Sequence, residues 1–178
     1  MKVLGEKSLS SKVELGLEVL FVVIALIDIV VLAIFGLVTI SEFSRYSITG
    51  TQILNSISLV ISLGTFLLTG IIALYIIYQF IKIFKNLEES KLFDISNSSS
   101  LNKISILSIV MGVLYFIVML SLMFFTKRLF FDIASRFMTT LLVFIFSIGF
   151  LVFGIGIKIL NEIYKKAIEY KEENELTI

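Results

Sequence analysis

Cysteine and histidine are both missing from the 178 residues. Without cysteine there is no disulfide, no thiolate nucleophile and no zinc site of the usual composition; without histidine there is no imidazole to serve as a general base near neutral pH. No His-x-x-x-His or Gly-x-Ser-x-Gly pattern occurs either, so neither an enzyme nor a bound metal or cofactor is expected. Charge is scarce too: 16% of the residues are charged, the net charge is +1, and the basic residues are dispersed among acidic ones. Such a chain offers no electrostatic footprint for a nucleic acid backbone, and direct nucleic-acid binding is not expected. Proline is absent altogether, so no apolar run is interrupted by it.

What fills the chain is apolar side chains, 58% of the total with a mean hydropathy of +1.05. An ordinary soluble domain is about half apolar and about a quarter charged. The arrangement is decisive, because long uninterrupted runs need hydrocarbon as their solvent whereas scattered residues need only a protein core. Four runs stand out, at 15–40, 53–81, 104–126 and 137–160, each covering the ~20 residues a helix needs to cross a bilayer. Lipid leaves no partner for unpaired backbone groups, which makes helices the default. The first run follows lysines, as a secretory signal does, but it is too long and lacks a small-x-small cleavage site, so it reads as a retained anchor.

Orientation follows from the flanking basic residues. Eleven of the fifteen, namely Lys2, Lys7, Lys12, Lys82, Lys85, Lys91, Lys103, Lys158, Lys165, Lys166 and Lys171, fall at the N-terminus, in the second connection and after the last span. The first and third connections hold Arg45, Lys127, Arg128 and Arg136. Both termini are therefore expected on the cytoplasmic side of a multi-pass membrane protein. Short connections make neighbours antiparallel, and no repeat or composition shift marks a second domain; the expected fold is a single all-α domain over 1–178, an up-down four-helix bundle in the membrane. Ser11 with Glu14 fits a capping box before the first span, and Asp94 can cap the third helix. The serine-rich stretch 96–100 would then form exposed helical turns; the competing reading leaves it as loop.

Asp28 sits near the middle of the first run, where an acidic group costs about 2.5–3.5 kcal/mol on insertion scales. It should face the interior. Thr65, Thr69, Tyr115 and Ser147 fall at a similar depth on the other three runs and could pair with it, while no Lys, Arg or His lies at that level. With no counter-charge, the carboxyl is expected to be protonated. A protonated carboxyl bonded to a hydroxyl is structural glue in one reading and a proton or cation site in the other. Glu14 and Glu18 lie near the end of the same run and make no dyad with Asp28. Ser58 with Ser62, Thr65 and Thr69 with Ala73, Ser108 with Gly112, and Gly149, Gly154 and Gly156 are small residues that permit close helix approach, within one chain or in a homo-oligomer.

Beyond the last span, Leu160, Ile163, Tyr164, Ala167 and Ile168 repeat at three- and four-residue spacing, interleaved with Lys165, Lys166, Glu169 and Glu172. This is an amphipathic helical continuation over 161–178, which can lie on the membrane, pack on the 82–103 connection or hold a cytoplasmic protein partner.

Phe84 and Leu87, followed by Phe93, Asp94, Asn97, Leu101 and Ile104, give the order F-x-x-L and then F-D-x-x-N-x-x-x-L-x-x-I. This stretch resembles the cytoplasmic connection of bacterial membrane proteins catalogued as domain of unknown function 2975. The ending Glu172, Glu173, Asn174, Glu175, Leu176, Thr177, Ile178 is similar to that family's E-E-N-D-L-T-I tail. Ser90 departs from the glycine common in the family, and Glu175 from its aspartate. The resemblance extends over nearly the whole chain. It implies a four-span protein of the bacterial plasma membrane, without assigned catalytic residues, whose relatives are often encoded beside a small helix-turn-helix regulator. A non-enzymatic regulatory or scaffold protein is the leading expectation. A small transporter or channel component using Asp28, or a membrane immunity or stress-protection protein, is the alternative.

Overall fold

The computed structural model describes residues 9–44, 50–125 and 133–176, all but a short turn of them helical. Lys2, Lys7, Arg45, Lys127, Arg128, Thr177 and Ile178, used above for orientation and for the tail motif, lie outside the described residues. The elements are α1 (Leu9–Ser44), α2 (Gly50–Glu88), α3 (Ile95–Phe125) and α4 (Ile133–Leu176). All four are long and apolar enough to cross a membrane. Each overruns the apolar run that marked it, and α4, with 44 residues, is about 66 Å long, roughly twice the thickness of a bilayer's hydrocarbon core.

α1 is already helical from Leu9, so Ser11 lies within its first turn and the capping box expected there is displaced. At α3 the cap forms as expected: the Asp94 carboxylate Oδ1 accepts from the Ser96 N–H at 2.7 Å, and the Asp94 carbonyl accepts from the Asn97 N–H at 3.0 Å. The serine-rich stretch is therefore helix. It is exposed only in part: Ser99 is exposed as expected, whereas Asn97, Ser98 and Ser100 are buried, Asn97 and Ser98 bonded to Tyr164 and Asn161 on the continuation of α4.

The seam between α3 and α4 is built from small residues at seven-residue intervals running in opposite directions along the two helices. The Ser98 hydroxyl donates to Asn161 Oδ1, the Ser105 hydroxyl to the Gly154 carbonyl and the Ser147 hydroxyl to the Gly112 carbonyl, each at 2.8 Å. A Cβ at position 154 would stand 2.7 Å from Ile109 Cγ1 and 2.9 Å from the Ser105 carbonyl; one at 112 would stand 2.6 Å from Leu151 Cγ. Backbones this close gain dispersion along their whole length, and in lipid that gain is a main source of helix association. Around the seam Ile76, Ile104, Met111 and Ile157 form the core, with Ile83, Leu101 and Tyr115 packed on it. Those residues come from α2, α3 and α4.

α1 stands apart from this core. Among the described residues the helices touch in chain order, α1 on α2, α2 on α3 and α3 on α4, and α1 reaches neither α3 nor α4. Of the up-down four-helix bundle expected from the sequence, four helices are present, and among the described residues they pack as a row in which α1 has α2 alone as its neighbour. No residue of α1's most apolar stretch is buried.

Replacing Gly154 by Val is expected to lower stability by about 1–3 kcal/mol through overpacking. Gly156→Val, where an added Cβ meets nothing within 4 Å, should leave it nearly unchanged. Detergent-solubilised unfolding of the two variants checks this, and equal effects would contradict the seam.

Candidate functional site

The sequence singles out two places, Asp28 and the α2–α3 turn, and the structure treats them differently. Asp28 faces α2 at Gly70, where a Cβ would collide with its carboxylate, so only glycine leaves room for it there. Its Oδ2 is buried with no hydrogen-bond partner. None of the four hydroxyls expected around it bonds to that oxygen. Thr65 and Thr69 donate to the carbonyls of Ile61 and Phe66 on their own helix, each at 2.8 Å. Ser147 is spent on the α3–α4 seam. The Tyr115 ring stacks on Phe150, with centroids 5.6 Å apart, and on Phe146. Since α1 does not reach α3 or α4, neither Tyr115 nor Ser147 stands beside Asp28. Equal depth along a span does not ensure adjacency in a row of helices. Nearer the start of α1, Glu14 lies against Glu88 of α2. Among the described residues no three Asp, Glu, His or Cys side chains come together as a metal site would require.

The turn, by contrast, is a closed polar knot. α2 ends when Ser90 adopts a left-handed conformation, φ 61°. The Lys91 N–H then reaches back to the Asn86 carbonyl at 2.8 Å and the Ser90 N–H to the Leu87 carbonyl at 3.1 Å, the paired bonds of a Schellman stop. Asn86, thus placed at the last turn of α2, donates through Nδ2 to Asn97 Oδ1 at 2.6 Å and to the Ser96 hydroxyl at 2.8 Å. Asn97, 2% exposed, donates in turn to the Lys91 carbonyl and to the Tyr164 hydroxyl, both at 3.2 Å. Tyr164 arrives from α4. Its hydroxyl donates to the Leu92 carbonyl and accepts from the Asp94 N–H at 3.2 Å, and its ring stacks on Phe93 with centroids 6.4 Å apart. One tyrosine and one asparagine therefore join the end of α2, the turn, the start of α3 and the far part of α4. The Ser96 hydroxyl and backbone N–H, both bonding to Asp94, hold its carboxyl below the usual carboxylate range.

The remaining turn residues take smaller parts. Phe93 is partly exposed and its ring contact is with Tyr164; Leu101 packs against the core. Glu173 and Asn174 lie exposed in the last turns of α4, which also include Leu176. The continuation of α4 does not use the stripe expected of it. Tyr164 and Ile168 turn inward with Asn161, while Leu160 and Ile163 point outward. Asn161, fully buried, and Asn86 were not marked in the sequence, because a lone asparagine within a helix carries no positional signal. Gln79 was also missed; it is buried on α2 with its Oε1 unpartnered, as is Nδ2 of Asn161.

A family model described as "Protein of unknown function (DUF2975)" matches residues 58–178. The chain belongs to this DUF2975 family. The match takes in α3, α4 and all but the first turns of α2, the three helices of the core, and it includes the whole polar knot. It leaves α1 outside, so it is shorter than the nearly whole-chain likeness read from the motifs, and Asp28 falls beyond it. No curated protein and no solved structure matches the chain.

Ser90 occupies a left-handed position that L side chains enter at a cost of about 1–2 kcal/mol, partly offset by the smaller entropy loss of a non-glycine residue. Ser90→Gly is accordingly expected to raise stability by about 0.5–1 kcal/mol. Ser90→Val should lower it, and the order of unfolding midpoints Gly above Ser above Val checks this.

Proposed function

We propose that this DUF2975 protein is a non-enzymatic regulatory or scaffold protein of the bacterial plasma membrane that holds a cytoplasmic protein through its α2–α3 turn and the continuation of α4. In this reading the helices run alternately up and down, and both termini lie on the cytoplasmic side, as the bias of eleven basic residues to that side requires. The observation that carries it is the knot at Asn97 and Tyr164, which fixes the α4 continuation to the turn and so presents an ordered surface beyond the bilayer. A knot that only ended helices would not need a residue from α4. A small helix-turn-helix regulator is one candidate partner, suggested by the family resemblance alone.

Its test is co-purification from gently solubilised membranes. A specific protein is expected with the full chain and lost when residues 161–178 are removed or when Tyr164→Phe loosens the knot. Identical partner sets for all three would end the claim.

A second reading, a transport component, draws on the unpartnered Oδ2 of Asp28. It is the weaker one: an ion path usually needs several intramembrane ionisable groups, and this carboxyl lies on the peripheral helix. Asp28→Asn keeps hydrogen bonding but cannot ionise. Proton or cation flux in proteoliposomes that is present in wild type and lost in this variant would favour transport; no flux in either is the outcome expected here.

A further inference from the structure

Apart from Glu88 at its end, α2 carries no Asp or Glu, and α3 carries none between Ile95 and Phe125. Lys82 and Lys103 each close an apolar run at the end near the α2–α3 turn, Lys82 directly after 53–81 and Lys103 directly before 104–126. The Asn86–Ser96 bond sets both on one side of the helix pair. Lys82 lies one turn from Asn86 and Lys103 two turns from Ser96, so each shares a helix face with a member of that bond. Counted from the bond, their depths differ by about 5 Å, within reach of two lysine side chains. Lys103 also lies about 160° around α3 from the seam residue Ser105, so this face looks away from α4.

Both lysines are exposed, and neither enters an ion pair among the described residues. Asp94 feels Lys82, but less than it feels Ser96 and Lys91. Lys85, nearer the end of α2, is already opposed by Glu14 of α1. Deeper on the same face the surface turns apolar, with two tyrosines. Tyr78 and Tyr75 stand one and two turns below Lys82, 53% and 44% exposed, with ring centroids 6.2 Å apart. Ile106 and Val110, one and two turns beyond Lys103, are exposed as well. Tyrosines about 6 and 10 Å inside a pair of lysines mark the level where headgroups give way to hydrocarbon.

We propose that this lysine-topped face between α2 and α3 is a binding site for an anionic phospholipid of the adjoining leaflet. Its phosphate bridges Lys82 and Lys103, and its chains run down beside the tyrosines, Ile106 and Val110. A free phosphate would use the lysines and leave the apolar floor bare, whereas a lipid uses both. A second copy or a partner protein seated here would have to bury two ammonium groups, at a cost of several kcal/mol each unless it paired them. A zwitterionic lipid brings no net charge to offset them. Such a site needs the four helices to cross a bilayer but needs no cytoplasmic partner.

The chain holds no tryptophan, so a single one reports on its own surroundings. In the test, full-length Val110→Trp is reconstituted into vesicles of phosphatidylcholine and phosphatidylglycerol, with bromines on the acyl chains of one lipid or the other to quench the indole. Quenching should show phosphatidylglycerol preferred there by at least about fivefold, the factor expected from one lysine beside an anionic headgroup. Leu26→Trp, on the exposed side of α1 at about the same depth, should show no such preference. Replacing both Lys82 and Lys103 by Gln should abolish the preference in the Val110→Trp chain, and replacing both by Glu should reverse it. Unchanged quenching of Leu26→Trp in the same backgrounds shows that the helices remain in place. Equal quenching by the two lipids in the Val110→Trp chain, a preference that survives the double Gln replacement, or an equal preference at Leu26→Trp would overturn the proposal. Quenching by neither lipid would also do so, by assigning the face to protein. Chains that fail to float with the vesicles would defeat the membrane reading itself, and the site with it.

Discussion

The close approach of α3 to α4 rests on four small residues, Ser105 and Gly112 on one helix and Ser147 and Gly154 on the other, with serine hydroxyls bonded to the facing backbone. In lipid, where apolar side chains gain nothing by leaving their surroundings, short backbone distances and hydroxyl bonds supply the attraction. The same seven-residue step carries the seam past the apolar run to Ser98 and Asn161 and, half a heptad further, to Tyr164 at the turn. The seam changes chemistry along its length, from glycine and serine to asparagine and tyrosine, but not direction. The polar knot is therefore the outer end of the same α3–α4 seam, joined to it through a continuous helix.

α1 lies outside this arrangement in three independent respects. Among the described residues it touches only α2, it buries none of its most apolar stretch, and it precedes the residues matched by the family model. Its one specific contact with α2 that involves a carboxyl deep in the apolar run is Asp28 at Gly70. With so little of α1 buried on the other helices, it can differ from the core without weakening it. The costly carboxyl is thus local to the α1–α2 contact.

Four membrane-length helices were legible in the sequence because lipid imposes a length and a composition that 15–40, 53–81, 104–126 and 137–160 satisfy. The Asp94 cap was legible as well, since an aspartate before a helical run has a local mechanism. Helix neighbours were not. Depth along a span can be counted, but which helices touch depends on small residues on particular faces, and so Tyr115 and Ser147 were set beside Asp28 when they belong to the α3–α4 contact. Of the glycines marked in the last span, Gly154 is in the seam while Gly149 and Gly156 meet open space. The motif residues Phe93, Asp94 and Asn97 were found by resemblance. Their shared partner, Tyr164, was read as part of an apolar stripe, because its hydroxyl finds its role only when α4 folds back along α3.

Hydrogen exchange of the full chain in nanodiscs, followed by mass spectrometry, tests most directly whether seam and knot form one unit. The account predicts that backbone amides from 155 to 171 exchange slowly and as a group with those of 95–108, although the former lie largely beyond the apolar run. Rapid exchange of 161–171, at the rate of a solvated isolated helix while 95–108 stay protected, would contradict it.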